Sequence, residues 1–317
     1  MKNYQFSNND QMPALGLGTW KSKPGEVYGA VREAIKMGYR HIDCAAIYGN
    51  EAEIGQAFSD AFQAGEVKRE ELWVTSKLWN NAHLQEDVRP ALEKTLKDLQ
   101  LDYLDLYLMH WPVALKPGIG FPSSGKDFLS LEEIPIHVTW KAMEACKKAG
   151  LTRHIGVSNF SIKKIKDLIA VCEIKPEANQ IELQPFLAQN AMLEFCNKEK
   201  IVLTAYSPLG SIDRPAVFKA PDEPSLLENP TIMEIAKSHG ISTAQVLIRW
   251  AIQRGTSVIP KSINPGRMKQ NLDAASLVLT EDDMKKLASL DTHTRILIGG
   301  FWAMPGSGYT MESLWDE

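Results

Sequence analysis

At 317 residues the chain is long enough for one large domain or two ordinary ones. Apolar residues make up 44% and charged residues 23%, a balance that excludes disordered and fibrous classes. A formal net charge of −4 argues against an extended nucleic-acid surface, although a local phosphate site needs only a few cations.

Residues 4–16 read as a short hairpin whose turn is Asn8-Asn9-Asp10. Residues 15–19 are strand-like, and 25–37 carry Val27, Val31, Ala34 and Ile35 on one helical face. A strand at 41–45 and a helix at 51–61 follow, then a strand at 73–78 and a helix marked by Val88, Leu92, Thr95 and Leu99. After the strand at 104–110, a Gly/Pro-rich loop runs from 111 to about 133, and 138–148 is helical. The rhythm goes on with a strand at 155–158, a helix at 161–172, a strand at 179–183, a helix at 191–198 and a strand at 202–206. A Pro-rich loop spans 207–230, with helices at 231–239 and 242–253, an eighth strand at 257–260, a helix from near Pro265 and a last one at 280–290. The tail, 292–317, is rich in Gly and aromatics and has no clear period. Eight βα units predict an α/β fold, a (β/α)8 TIM barrel, as one domain over 1–317. Its strands are continuous apolar runs, as strands buried on both faces should be. A doubly wound sheet is the competing architecture.

Three of these runs end in polar residues: 41–44 at Asp43, 72–76 at Lys77 and 104–109 at His110. Tyr48 lies in the loop just after Asp43. A closed parallel barrel gathers such strand ends at one rim, where an acid, an amine, a phenol and an imidazole would be equipped for proton transfer. Taken singly, each has a plainer reading: a structural ion pair for Asp43 and Lys77, a core histidine, a loop tyrosine.

Other devices are missing. Lys21 stands where the third glycine of GxGxxG would follow Gly16 and Gly18, so the dinucleotide-binding fingerprint fails. There is no P-loop, HExxH, GxSxG or YxxxK. Cys44, Cys146, Cys172 and Cys196 form no CxxC pair and no zinc spacing, so thiols of a reducing compartment are expected, and no metal. The polar N-terminus is not a secretory signal, and no uncharged apolar run nears the length of a membrane span. A cytoplasmic protein without membrane or nucleic-acid partners is expected.

The motifs are more specific. Gly16-Leu17-Gly18-Thr19-Trp20, Gly38-Tyr39-Arg40-His41-Ile42-Asp43, Ala46-Ile47-Tyr48-Gly49-Asn50-Glu51, Thr75-Ser76-Lys77-Leu78-Trp79 and Met109-His110-Trp111-Pro112 occur in order. Gly156-Val157-Ser158-Asn159-Phe160, Tyr206-Ser207-Pro208-Leu209-Gly210 and Ile259-Pro260-Lys261-Ser262 follow. From residue 12 to about 290 the chain resembles the aldo-keto reductase family, in particular its aldose/aldehyde reductase-like branch.

The resemblance implies a barrel closed below by the N-terminal hairpin, with a C-terminal loop over the active site. NADPH would lie extended across the upper rim, and a small carbonyl substrate, an aldehyde or ketone, would be reduced to an alcohol. The implied catalytic tetrad is Asp43, Tyr48, Lys77 and His110, with Tyr48 as the acid and Lys77 lowering its pKa. Gly18, Thr19, Trp20 and Lys21 would border the cofactor, Tyr206 would stack on the nicotinamide, and Ser158, Asn159 and Gln180 would hold its carboxamide. For Asn159 a helix N-cap is the plainer reading, compatible with that role. Ser207, Leu209, Ser211 and Asp213 would lie in a loop over the pyrophosphate, with Lys21 facing Asp213 as a clasp. Lys261, Ser262 and Arg267, with the amides of the helix begun at Pro265, would take a 2′-phosphate. Gln270 stands before Asn271 where this branch usually has a glutamate for the adenine amine. Trp20, Trp79, Trp111 and Phe121 would wall the substrate pocket, closed by Phe301 and Trp302 from the tail.

Other readings are a reductase of larger ketones, an NADPH-binding regulatory subunit, and a glycoside hydrolase using Asp43 and Glu182. The last leaves Lys77 without a role. A monomer is expected over a homodimer.

Overall fold

The computed structural model describes residues 2–215, 219 and 223–317; of the loop expected at 207–230, residues 216–218 and 220–222 lie outside them. The N-terminal hairpin pairs β1 (Asn3–Gln5) with β2 (Gln11–Pro13). The main sheet follows chain order: β3 (Leu17–Gly18), β4 (His41–Asp43), β5 (Trp73–Leu78), β6 (Leu104–Met109), β9 (Thr152–Ser158), β10 (Ala178–Glu182), β11 (Val202–Tyr206) and β12 (Ser257–Val258), all parallel. The numbers β7 (Ala114–Leu115) and β8 (Phe128–Leu129) fall on a two-stranded ribbon inside the 111–133 segment, which sequence patterning reads as loop. Bridges from Leu15 to Val258 and from Gly18 to Lys261 join first strand to last. The Gly16 and Val258 amides donate to Val258 and Ala14 carbonyls at 2.9 and 2.8 Å. That closure excludes the doubly wound alternative.

The helices between the strands cover the barrel as their apolar faces require. In α1 (Val27–Met37), Val27, Ala30, Val31, Ala34 and Ile35 are buried, and the helix stops at Gly38, whose φ of 101° suits glycine. The helix after β5, α3 (Gln85–Leu99), buries Val88, Leu92, Thr95, Leu96 and Leu99. Every residue of β5 and β6 is buried, and the one acid among them, Asp105, is satisfied by Arg69 and the Val74 amide at 2.7 and 2.8 Å. Phe6 and Met12 of the hairpin pack on Trp73, Leu106, Leu108 and Ala178 and plug the end where strands begin. At the opposite end the 111–133 segment and the tail share an apolar cluster that includes Trp79, Trp111, Phe128, Trp302 and Trp315. The tail forms one turn at Gly300–Trp302 and a helix at Met311–Trp315, each too short to give a period.

Beneath the barrel, His154 Nδ1 and Nε2 each lie 3.0 Å from a carboxylate, of Glu177 and Asp10 respectively. Glu177 also accepts from Ser7 Oγ at 2.6 Å and from Lys147 Nζ. Burial pushes the Glu177 carboxyl up, but the bonds from His154, Lys147 and Ser7 outweigh it and hold the group at about 2, against an ordinary 4.5. A folded-state pKa below the unfolded one contributes stability that is fully present above about 4.5 and fades as pH falls towards 2. The contribution at neutral pH is on the order of 3 kcal/mol. Glu177→Gln is therefore expected to lower Tm at neutral pH and to flatten the fall of Tm between pH 4.5 and 2. Melting curves across that range check it; an unchanged acid limb would contradict it.

Candidate active site

The strand ends at the tail side of the barrel meet in a cavity of about 800 Å³. Asp43 closes β4 and Lys77 sits near the end of β5, with exposures of 2% and 0%. Lys77 Nζ donates to Asp43 Oδ2 at 2.6 Å and to the Cys44 carbonyl at 2.8 Å. The other Asp43 oxygen accepts from Gln180 Nε2 at 2.7 Å. Thr19 Oγ1 donates to the Asp43 carbonyl at 2.8 Å, and Asn50 Nδ2 to the Thr19 carbonyl at 3.0 Å. Two buried charges are thus paired, and the carboxylate gains an amide donor besides, as such burial demands.

Tyr48 ends a short turn, Ala46–Tyr48, and borders the cavity. Its ring centroid lies 5.2 Å from Lys77 Nζ and 6.0 Å from the His110 ring. Burial, then the Asp43 carboxylate, push the phenol well above its usual 10. The net shift is therefore upward, opposite to the lowering expected from Lys77, because burial and the carboxylate dominate. Burial, then Lys77 and His83, hold His110 well below 6.5, so its imidazole is neutral at physiological pH. Its Nδ1 is buried with no partner among the described residues, and the ring lines the cavity wall.

Asn159 follows β9 with a φ of 62°. It donates to the His110 carbonyl at 2.9 Å and to Ser158 Oγ at 3.1 Å, and accepts from the Tyr206 hydroxyl at 2.6 Å. Ser158 in turn donates to the Gln180 carbonyl at 2.8 Å. The cap of the next helix, α5 (Ile162–Ile169), is Ser161, which accepts from the Lys164 amide; the reading of Asn159 as N-cap is corrected. A left-handed backbone at Asn159 turns the chain two residues before the Ser161 cap.

The cavity continues from there along Gly18, Trp20, Lys21, Ser207, Leu209, Ser211 and Asp213 to Lys261, Ser262, Arg267, Gln270 and Asn271. Lys21 pairs with Asp213 and donates to Ser211 Oγ at 2.7 Å. Lys261 Nζ lies 3.7 Å from Asp213 and donates to the Lys21 carbonyl at 3.3 Å. Lys21, Asn159, Ser207 and Ser211 all have positive φ. That conformation is uncommon outside glycine, and such residues gather at functional sites. At α9 (Pro265–Asp273) the helix amides offer less than expected. Pro265 has no N–H, and the Arg267 and Met268 amides donate to Asn264. For an anion this leaves the Gly266 amide and the side chains of Lys261, Ser262 and Arg267.

On the opposite side Trp20, Trp79, Trp111, Phe121, Phe301 and Trp302 line the cavity. Trp79 stands edge-on to His110 at 5.1 Å, and Phe121, half exposed at the mouth, lies 5.4 Å from Phe301 and 5.6 Å from Trp302. All the site residues expected from sequence except the wholly buried Lys77 line this one cavity, and Lys77 is bonded to Asp43 in its wall. Sequence reasoning missed Ile47, Leu297, and Ser242 and Thr243 at the start of α8 (Thr243–Arg254). The capping box of Ser242 and Gln245 was a signal for the last pair.

Comparison with known proteins agrees with the geometry. The model of the Aldo/keto reductase family matches residues 14–292. An aldo/keto reductase of Synechocystis sp. is 57% identical over 317 residues, the whole of this chain and 97% of that relative. Aldo-keto reductase family 1 member A1 of Gallus gallus is 50% identical over 293 residues, 92% of this chain and 89% of the relative. The same-named protein of Rattus norvegicus is 48% identical over 290 residues, with 91% and 89% coverage. With its closed eight-stranded barrel and a match over nearly its whole length, the chain belongs to the aldo/keto reductase family and is an oxidoreductase.

Proposed function

We propose that this protein reduces aldehydes, aldoses included, and ketones to alcohols at the expense of NADPH, with Tyr48 as general acid. The observation that carries the reading is a phenol and a neutral imidazole facing one cavity, with a fully buried Lys77–Asp43 pair behind them. NADPH, when bound, supplies the hydride. Tyr48 gives its proton to the carbonyl oxygen and recovers one from solvent. His110 orients that oxygen by a hydrogen bond, and the Lys77 ammonium stabilises the negative charge that builds as the proton leaves. Asp43 holds Lys77 charged and directed. The aromatic walls hold apolar aldehydes and stack on sugar faces.

The donor set supports the choice of cofactor. Ser158, Asn159, Gln180 and Tyr206 are amide and hydroxyl partners suited to a carboxamide ring at the catalytic end. Among the described residues no partner takes Gln180 Oε1, which is left as an acceptor. Lys261 and Arg267 at the far end suit a phosphate. Arg267→Ala is expected to weaken NADPH binding about tenfold or more and to leave NADH binding unchanged. Titration of both nucleotides checks this, and equal weakening of the two would argue against a 2′-phosphate site. The function itself is tested by following NADPH consumption with a panel of neutral aldehydes. One alcohol formed per NADPH consumed supports it; binding without consumption would point to a regulatory role.

A further inference from the structure

Glu182 ends β10 with no solvent exposure, and the proposed chemistry has no role for it. One of its oxygens accepts from the Ile296 amide at 2.8 Å and the other from the Leu297 amide at 2.7 Å. Gln184 Nε2 adds a contact to Glu182 Oε1 at 3.3 Å and reaches the Thr294 carbonyl at 3.2 Å. A carboxylate buried this completely persists only because backbone donors and an amide satisfy it. The segment it grips is the start of the pocket wall: Leu297, Phe301 and Trp302 line the cavity within six residues of Ile296. Alternate side chains of a strand share a face, so Gln180 and Glu182 lie on one face of β10. The first holds Asp43, and the second holds the tail. One rigid strand therefore sets the distance between the reacting centre and the wall opposite.

We propose that Glu182 is a positioning residue for substrate selection, acting through the backbone of Ile296 and Leu297 on the Leu297–Trp302 wall. The proposal rests on the reductase reading above. In Glu182→Gln one oxygen becomes an NH2 group facing a backbone N–H, two donors opposed. The wall then loses its anchor while the tetrad keeps its own bonds. For a bulky aromatic aldehyde that reaches the tail, KM is expected to rise about tenfold with little change in kcat. Propanal, too small to reach it, should keep its kinetics, and NADPH affinity should stay as it was. A lost fold-stabilising bond would not discriminate between the two aldehydes, so equal effects on both, or none on either, would overturn the proposal. Amide hydrogen exchange on the wild-type protein gives a second test that does not depend on a variant's folding. Ile296 and Leu297 should exchange markedly more slowly than Ile298, and similar rates would also overturn it. If the wild type turns over no aldehyde, the reductase reading fails, and the exchange rates then decide the clamp alone.

Discussion

Replacing Tyr48 by Phe is expected to lower kcat for aldehyde reduction by about 10²- to 10⁴-fold, the usual worth of a positioned acid, with NADPH affinity unchanged. The change removes one oxygen and keeps the ring that packs 6.4 Å from Trp20 and 6.0 Å from His110, so the cavity keeps its shape. Burial and the Asp43 carboxylate hold the phenol protonated well past pH 10, and the acid form is present throughout the physiological range. A phenol of raised pKa gives its proton reluctantly to water. The oxygen of a carbonyl receiving hydride is more basic still, so the transfer remains favourable at the moment it is needed. The reverse reaction, alcohol oxidation, needs the phenolate and so gains with rising pH. Steady-state kinetics beside nucleotide titration separates the outcomes: a variant that binds NADPH normally but reduces aldehyde at the wild-type rate would remove Tyr48 from the chemistry.

Lys77→Met should cost about 3–5 kcal/mol of stability, because it leaves the Asp43 carboxylate buried without its cation. The pair is fully desolvated, and the Lys77 stem is among the largest wholly buried side chains. Asp43 would keep only the Gln180 amide. Adding Asp43→Asn removes the stranded charge and should restore most of the stability. Turnover should stay lost in both variants, since neither has an ammonium behind Tyr48. Thermal or denaturant unfolding of the single and double variants, with activity measured in parallel, closes the cycle. A double variant with wild-type turnover would reduce Asp43–Lys77 to a structural ion pair, the plainer reading open at the level of sequence.

Much of this site was legible before the fold was known, because a parallel barrel converts a one-dimensional pattern into a place. Asp43, Lys77 and His110 end consecutive apolar runs, and strand ends of a closed sheet share a rim. Elements without a repeating pattern were not legible in this way. The ribbon pairing Ala114–Leu115 with Phe128–Leu129 has two residues per strand, and the Met311–Trp315 helix barely one turn, both shorter than the window in which a period can be counted. Backbone conformation was hidden as well: nothing in the residue types of Lys21, Ser207 or Ser211 announces a positive φ. The net direction of the Tyr48 shift was not legible either, because its first cause is burial, which only the packed fold decides. Glu182 shows the same limit. Its residue type invites an acid–base reading, whereas its two backbone donors come from residues 114 and 115 positions away in sequence.

The most direct test of the account is to supply NADPH carrying deuterium at the transferable position of its nicotinamide, with a neutral aldehyde, and to locate the label in the products. Hydride transfer beside a Tyr48 proton donor predicts one deuterium on the carbinol carbon of the alcohol and a hydroxyl proton drawn from solvent. An alcohol without deuterium, or label released to water, would contradict it.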